Sequence, residues 1–156
     1  MKREEQLQPL SHQHHNGLMA ALLLKKGVEK QAATTVMDDF ILSVWNGELR
    51  NHFIKEEVYL HPHVLQIPSL MEKYEQMKAA HHQIRHVVDA IRSGASGTDR
   101  ILEFYTLLEK HIRFEERDLF PFIEEQIQPE QLNELGRNLQ QLESKACSDY
   151  PVKFWE

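Results

Sequence analysis

Residues 52–62 read HFIKEEVYLHP, and residues 111–121 read HIRFEERDLFP. His, Glu, Glu, Leu and Pro stand at the same offsets in both phrases. In each, the His and the first Glu are four residues apart. On a helix this places His52 with Glu56, and His111 with Glu115, one turn apart on a common face. The second Glu of each phrase, Glu57 or Glu116, lies about 100° further round. An imidazole above a carboxylate is a metal-ligand pattern if the face is buried and a surface pair if it is not. The surrounding residues decide between the two.

Both pairs fall on apolar stripes. After Pro9 the spacing predicts a first helix from about Leu10 to Lys26, with Ser11 as N-cap and Gly27 as stop. A second runs from about Glu29 to Leu60, ended by Pro62, with Gly47 as a point where it bends or breaks. Its stripe of Val36, Phe40, Ile41, Val44, Trp45 and Leu49 continues through His52, Glu56 and Leu60. A third follows Pro68, from about Leu70 to Ser93. GASGTD is a loop that offers Thr98 or Asp99 as the next cap. The fourth helix spans about Arg100 to Pro121, with Ile101, Phe104, Leu108, His111, Glu115 and Leu119 on one face. A short fifth covers about Glu130 to Ser144, and the tail CSDYPVKFWE carries apolar residues able to fold back. No segment alternates as a strand does. The expected fold is all-α: an up-down-up-down four-helix bundle with a short extra C-terminal helix.

Burying a carboxylate without a positive partner is costly. Two that face each other repel unless protonated or bridged by a cation. Two further histidines lie on inward faces: His14 with Leu18 and Ala21, and His81 with Met77, Ile84 and Val88. The inventory is then one imidazole from each of four helices and one carboxylate from each of two. It suits iron or manganese in near-octahedral sites, or zinc. Two bridging carboxylates and four imidazoles cannot fill two six-coordinate ions, so positions stay open for dioxygen, peroxide or another small ligand. Glu57, Glu116 and His15 are candidates to hydrogen-bond the ligand imidazoles.

The bland readings compete residue by residue. A single His on an apolar stripe is ordinarily a core histidine, and a single HxxxE pair is ordinarily on the surface. Two such phrases plus a His on each remaining helix outweigh that. His12, His61, His63, His82 and His86 fall on polar faces or at helix ends and read as solvated. Phe53, Phe114 and Phe120 read as packing that keeps the site dry. Tyr74 and Tyr105 read as core or as redox-active neighbours. Cys147 reads as an incidental thiol.

Composition bounds the rest. The 156 residues are 27% charged and 41% hydrophobic, and six Gly and six Pro are few for a turn-rich β-fold. One domain is expected over 1–156, with the bundle core at about 10–125 and the C-terminal helix and tail at 129–156. The formal charge of −6 and the lack of a basic cluster argue against nucleic acid. MKREEQLQPL is no signal peptide, and MAALLL is too short to span a bilayer. A single cysteine precludes an internal disulfide. A cytoplasmic protein with no membrane partner is expected.

SHQHHNGL, HFIKEEVYLHP, AAHHQIRHVV and HIRFEERDLFP together resemble the hemerythrin-like (HHE cation-binding) proteins, over residues 10 to 125. The resemblance implies a four-helix bundle carrying two iron ions, a di-iron centre with an oxo or hydroxo bridge; manganese or zinc remain alternatives. Carried over position by position, it implies His14, flanked by His12 and His15, as the first-helix ligand, followed by His52 and Glu56, His81, and His111 and Glu115, with both carboxylates bridging. Oxygen-carrying hemerythrins differ. They use five histidines, two from the third helix as HxxxH, whereas four residues past His81 stands Arg85. They also place Asp where this chain has Glu116. The chain is closer to bacterial relatives that sense or handle small molecules.

The resemblance therefore implies a protein that binds a small diatomic ligand, dioxygen or nitric oxide, for sensing or storage. Two other readings stay open: a di-iron enzyme in peroxide or oxygen reduction or iron-centre repair, and a structural module around a redox-inert ion. Any signalling would need a separate protein partner.

Overall fold

The computed structural model describes residues 3–95, 97–140, 142 and 146–156. Helices form α1 (Gln8–Glu29), α2 (Thr34–Val44), α3 (Arg50–Gln66), α4 (Pro68–Arg92), α5 (Thr98–Phe114), α6 (Phe120–Gln126) and α7 (Pro129–Leu139). A π-helical segment, Trp45–Leu49, joins α2 to α3, and another, Glu115–Leu119, joins α5 to α6. Residues 34–66 and 98–126 are therefore each one helical rod. Short 3-10 turns stand at Glu5–Leu7 and Cys147–Asp149. Among the described residues there is no strand, and no helix is long and apolar enough to cross a membrane.

Several boundaries differ from expectation for physical reasons. Ser11 is inside α1, and its hydroxyl donates to Glu116 rather than capping the helix. Gly27 does not stop α1. A Cβ there would meet Met37 Sδ and Phe154 Cδ1 at 2.7 Å, so the glycine serves close packing. The chain turns instead at Gln31, whose φ of 56° is left-handed. Pro62 lies within α3, where burial of His63 and Val64 beyond it holds the helix together. The helix α5 starts from Gly97 at φ 144°, with no side-chain cap from Thr98 or Asp99. The bend foreseen at Gly47 is the first π-helical segment. Part of the expected fifth helix, at 141 and 143–144, lies outside the described residues.

The core divides into two apolar clusters. One gathers Leu24 of α1, Phe40 and Ile41 of α2, Phe53, Val88 of α4 and Phe104 and Leu108 of α5, with Phe154 of the tail. The other gathers Leu10 of α1, Leu60 of α3, Met77 of α4, Leu119, Phe120 and Ile123, with Leu132, Leu135 and Leu139 of α7. On every long rod the chain passes from one cluster to the other, and at each crossing it carries a buried His, Glu or both.

The tail closes the first cluster. Phe154 rests edge-on against Phe40 with ring centroids 5.0 Å apart, and over Gly27. Phe154→Ala should cost about 3 kcal/mol, typical for a buried Phe truncated to Ala, read as a lowered denaturant midpoint. Cys147 anchors the same segment. Its N–H donates to Asn16 Oδ1 at 2.8 Å, and burial pushes its thiol up to about 11. Iodoacetamide at pH 8 should then label Cys147 at about one thousandth of the rate for a fully ionised thiolate, rising on denaturation.

Candidate metal centre

All six expected residues meet between the two apolar clusters. His14, His52, Glu56, His81, His111 and Glu115 are each 4% exposed or less. They form two overlapping groups, His14, His52, Glu56 and Glu115, and Glu56, His81, His111 and Glu115. Within each group, one ligand atom per residue lies within 4.8 Å of every other.

Each carboxylate spans both groups. Glu56 Oε1 is 3.2 Å from His52 Nε2 and 3.1 Å from His81 Nε2. Glu115 Oε1 is 2.9 Å from His14 Nε2 and 3.0 Å from His111 Nε2. Neither Glu56 Oε2 nor Glu115 Oε2 has a hydrogen-bond partner, although both are buried. Burial and the Glu115 charge push the Glu56 carboxyl well above its usual range. Burial works the same way on Glu115, but the neighbouring His111, Glu56 and His14 outweigh it and hold that carboxyl low.

The outer shell fixes which nitrogen faces inward. His14 Nδ1–H donates to Glu116 Oε2 at 2.7 Å, and His81 Nδ1–H to Glu57 Oε2 at 2.9 Å. His52 Nδ1–H donates to Gln13 Oε1 at 2.7 Å. A neutral imidazole that donates from Nδ1 holds its lone pair at Nε2. The Nε2 atoms of His14 and His52 then face each other at 3.1 Å. Two lone pairs at that distance repel unless a proton or a cation lies between. Burial works to lower His14, yet its contacts with Glu115 and Glu116 raise it to about 9. Convergent lone pairs, two carboxylates and orphaned buried oxygens are the donor set that a cation pair satisfies.

The doubled Glu now has a geometric reason. The first Glu of each phrase points inward, and the second turns out to hold an imidazole of a neighbouring helix. Glu57 takes His81 of α4, with Arg85 Nη2 3.9 Å away. Glu116 takes His14 of α1, with Ser11 donating to it and Arg3 beside it. Arg85 also lies over the Trp45 ring at 5.9 Å, outside the ligand layer.

Aromatic rings set the imidazole planes. Phe53 stacks on His81 with centroids 3.9 Å apart, and Phe120 on His14 at 5.2 Å. Phe114 is half-buried and packs on the second cluster. Tyr74 is buried, and its hydroxyl donates to the Glu57 carbonyl at 2.7 Å. Tyr105 packs against the first cluster.

Three details depart from the sequence reading. His15 is exposed and holds no ligand imidazole. Its expected place is taken by Gln13, which lies off the apolar stripe and gave no signal beyond its position inside SHQHHN. His63 is buried rather than solvated, because α3 continues past Pro62 and packs against α7, and burial lowers its pKa. His12, His61, His82 and His86 are exposed, as expected.

An all-helical protein with a buried layer of imidazoles and carboxylates is, by its fold and site, a cation-binding protein. The family described as the hemerythrin HHE cation binding domain matches residues 7–123, and the chain belongs to that family. No curated protein and no solved structure matches the chain.

Proposed function

We propose that this chain is an up-down-up-down four-helix di-iron protein that binds dioxygen or nitric oxide, for sensing or storage. The observation that carries this reading is the sharing of each carboxylate between the two groups. Glu56 lies between His52 and His81, and Glu115 lies between His14 and His111. His14 and His52 would hold one ion, His81 and His111 the other, with Glu56 and Glu115 common to both. Manganese or zinc fits the same residues less specifically. When bound, ferrous iron supplies a redox-active centre with coordination positions that a diatomic molecule can take. The protein's part is to set the imidazole tautomers through Glu57, Glu116 and Gln13 and to keep water out with Phe53 and Phe120.

Reduced, iron-loaded protein mixed anaerobically with nitric oxide, and separately with dioxygen, should change its absorption spectrum. No change with either gas would end this reading. An enzyme reducing peroxide or oxygen is the second reading, favoured by the Tyr74 phenol, which is hydrogen-bonded to the backbone next to Glu56. Absence of metal-dependent peroxide consumption and of iron transfer would count against it. The cytoplasm remains the expected compartment.

A further inference from the structure

The six inward residues account for the ion-holding layer but not for how a ligand reaches it. Between α4 and α5 lies a cavity of about 190 Å³ lined by Gln76, Ala79, Ala80, Gln83, Leu107, Lys110, His111 and Phe114. Exposure falls along it. Gln76, Ala79, Gln83 and Lys110 are exposed at the rim, while Ala80, Leu107 and Phe114 are half-buried on the walls. His111 is 2% exposed and belongs to the group with His81.

His111 also differs from the other three imidazoles. Each of those has its Nδ1 tied to Glu116, Gln13 or Glu57. Neither nitrogen of His111 has a hydrogen-bond partner, although both are buried. Its Nε2 is 3.0 Å from Glu115 Oε1 but is not aligned for a hydrogen bond. A buried Nδ1 left without a partner beside a cavity is where a small guest can meet a polar group.

We propose that this cavity is the access route by which a molecule of two or three atoms reaches the cation pair, arriving on the side of His81 and His111. The inference rests on the di-iron reading. Apolar walls favour an uncharged guest such as a diatomic gas. Ala80 lines the cavity with a single methyl, so a larger side chain there would project into it. Lys110 at the rim would raise the local concentration of a small anion, so azide association should weaken with added salt and gas association should not.

The test uses the full chain carrying A80F or Leu107→Ala. Iron content per chain is measured first and should match the unchanged protein in both. Azide association, followed by stopped-flow absorption, should slow about tenfold in A80F and quicken in Leu107→Ala. A readout free of iron is xenon bound under pressure to crystals of the metal-free protein, since apolar cavities of this size take xenon. Xenon should occupy the cavity in the unchanged protein and be lost in A80F. Full iron content with unchanged azide rates in both variants overturns the access route and leaves the di-iron reading standing. An unchanged protein that takes up no iron overturns both. If A80F does not fold, Leu107→Ala decides alone: acceleration supports the route and an unchanged rate overturns it.

Discussion

Alanine at Glu56 or at Glu115 abolishes binding of a cation pair, whereas alanine at Glu57 leaves at least part of it. The two inward carboxylates each serve both imidazole pairs, so removing one deprives both ions of a ligand at once. It also leaves the other carboxyl as the sole anion in a buried layer, with too little charge to hold two divalent ions. Glu57 acts one step removed. Its Oε2 holds His81 through Nδ1, and losing that contact frees the ring to turn without removing a ligand atom. Loss of such an outer partner costs about 10–100-fold in metal affinity. Iron per chain, measured by elemental analysis after ferrous reconstitution, separates these outcomes. Equal retention in all three variants contradicts the assignment.

The second large effect is thermal. Without a cation, the centre holds two buried carboxyls, Glu56 and Glu115, whose charges oppose each other. A cation pair reverses that electrostatic cost, and it binds the folded chain alone. Free metal at about a thousand times the dissociation constant adds about 4 kcal/mol per site. At about 2–4 °C per kcal/mol for a chain of this size, iron should raise the melting temperature by at least ~8 °C. A chelator should return it. The same titration on the Glu115→Ala protein should give little or no shift. A melting temperature indifferent to iron in the unchanged protein would mean that these residues do not form a cation site.

Most of the site was legible because two periodicities coincide. The phrase HxxxEE carries the ligand spacing, and the apolar stripe carries the burial, so His52, Glu56, His111 and Glu115 stood out. His14 and His81 followed from their apolar neighbours. Gln13 did not, because an amide off the stripe looks like any surface glutamine until His52 is seen to point at it. His63 misled for a related reason: its burial depends on α7, a packing partner some 70 residues away in sequence. The breakers Gly27 and Pro62 signalled ends that tertiary packing overrode. Gly27 is small because Phe154 lies over it, a contact between positions 127 residues apart. The π-helical segments were beyond periodicity. The one at Glu115–Leu119 falls just before Pro121, but Pro62, at the same offset in the other phrase, has none just before it.

The most direct test of the central claim is the iron content of the reconstituted chain, taken with its absorption spectrum before and after anaerobic reduction and exposure to air. A pair of bridged irons predicts about two irons per chain and a near-ultraviolet band that responds to air. Zinc alone, or no metal after reconstitution with ferrous iron, would contradict it.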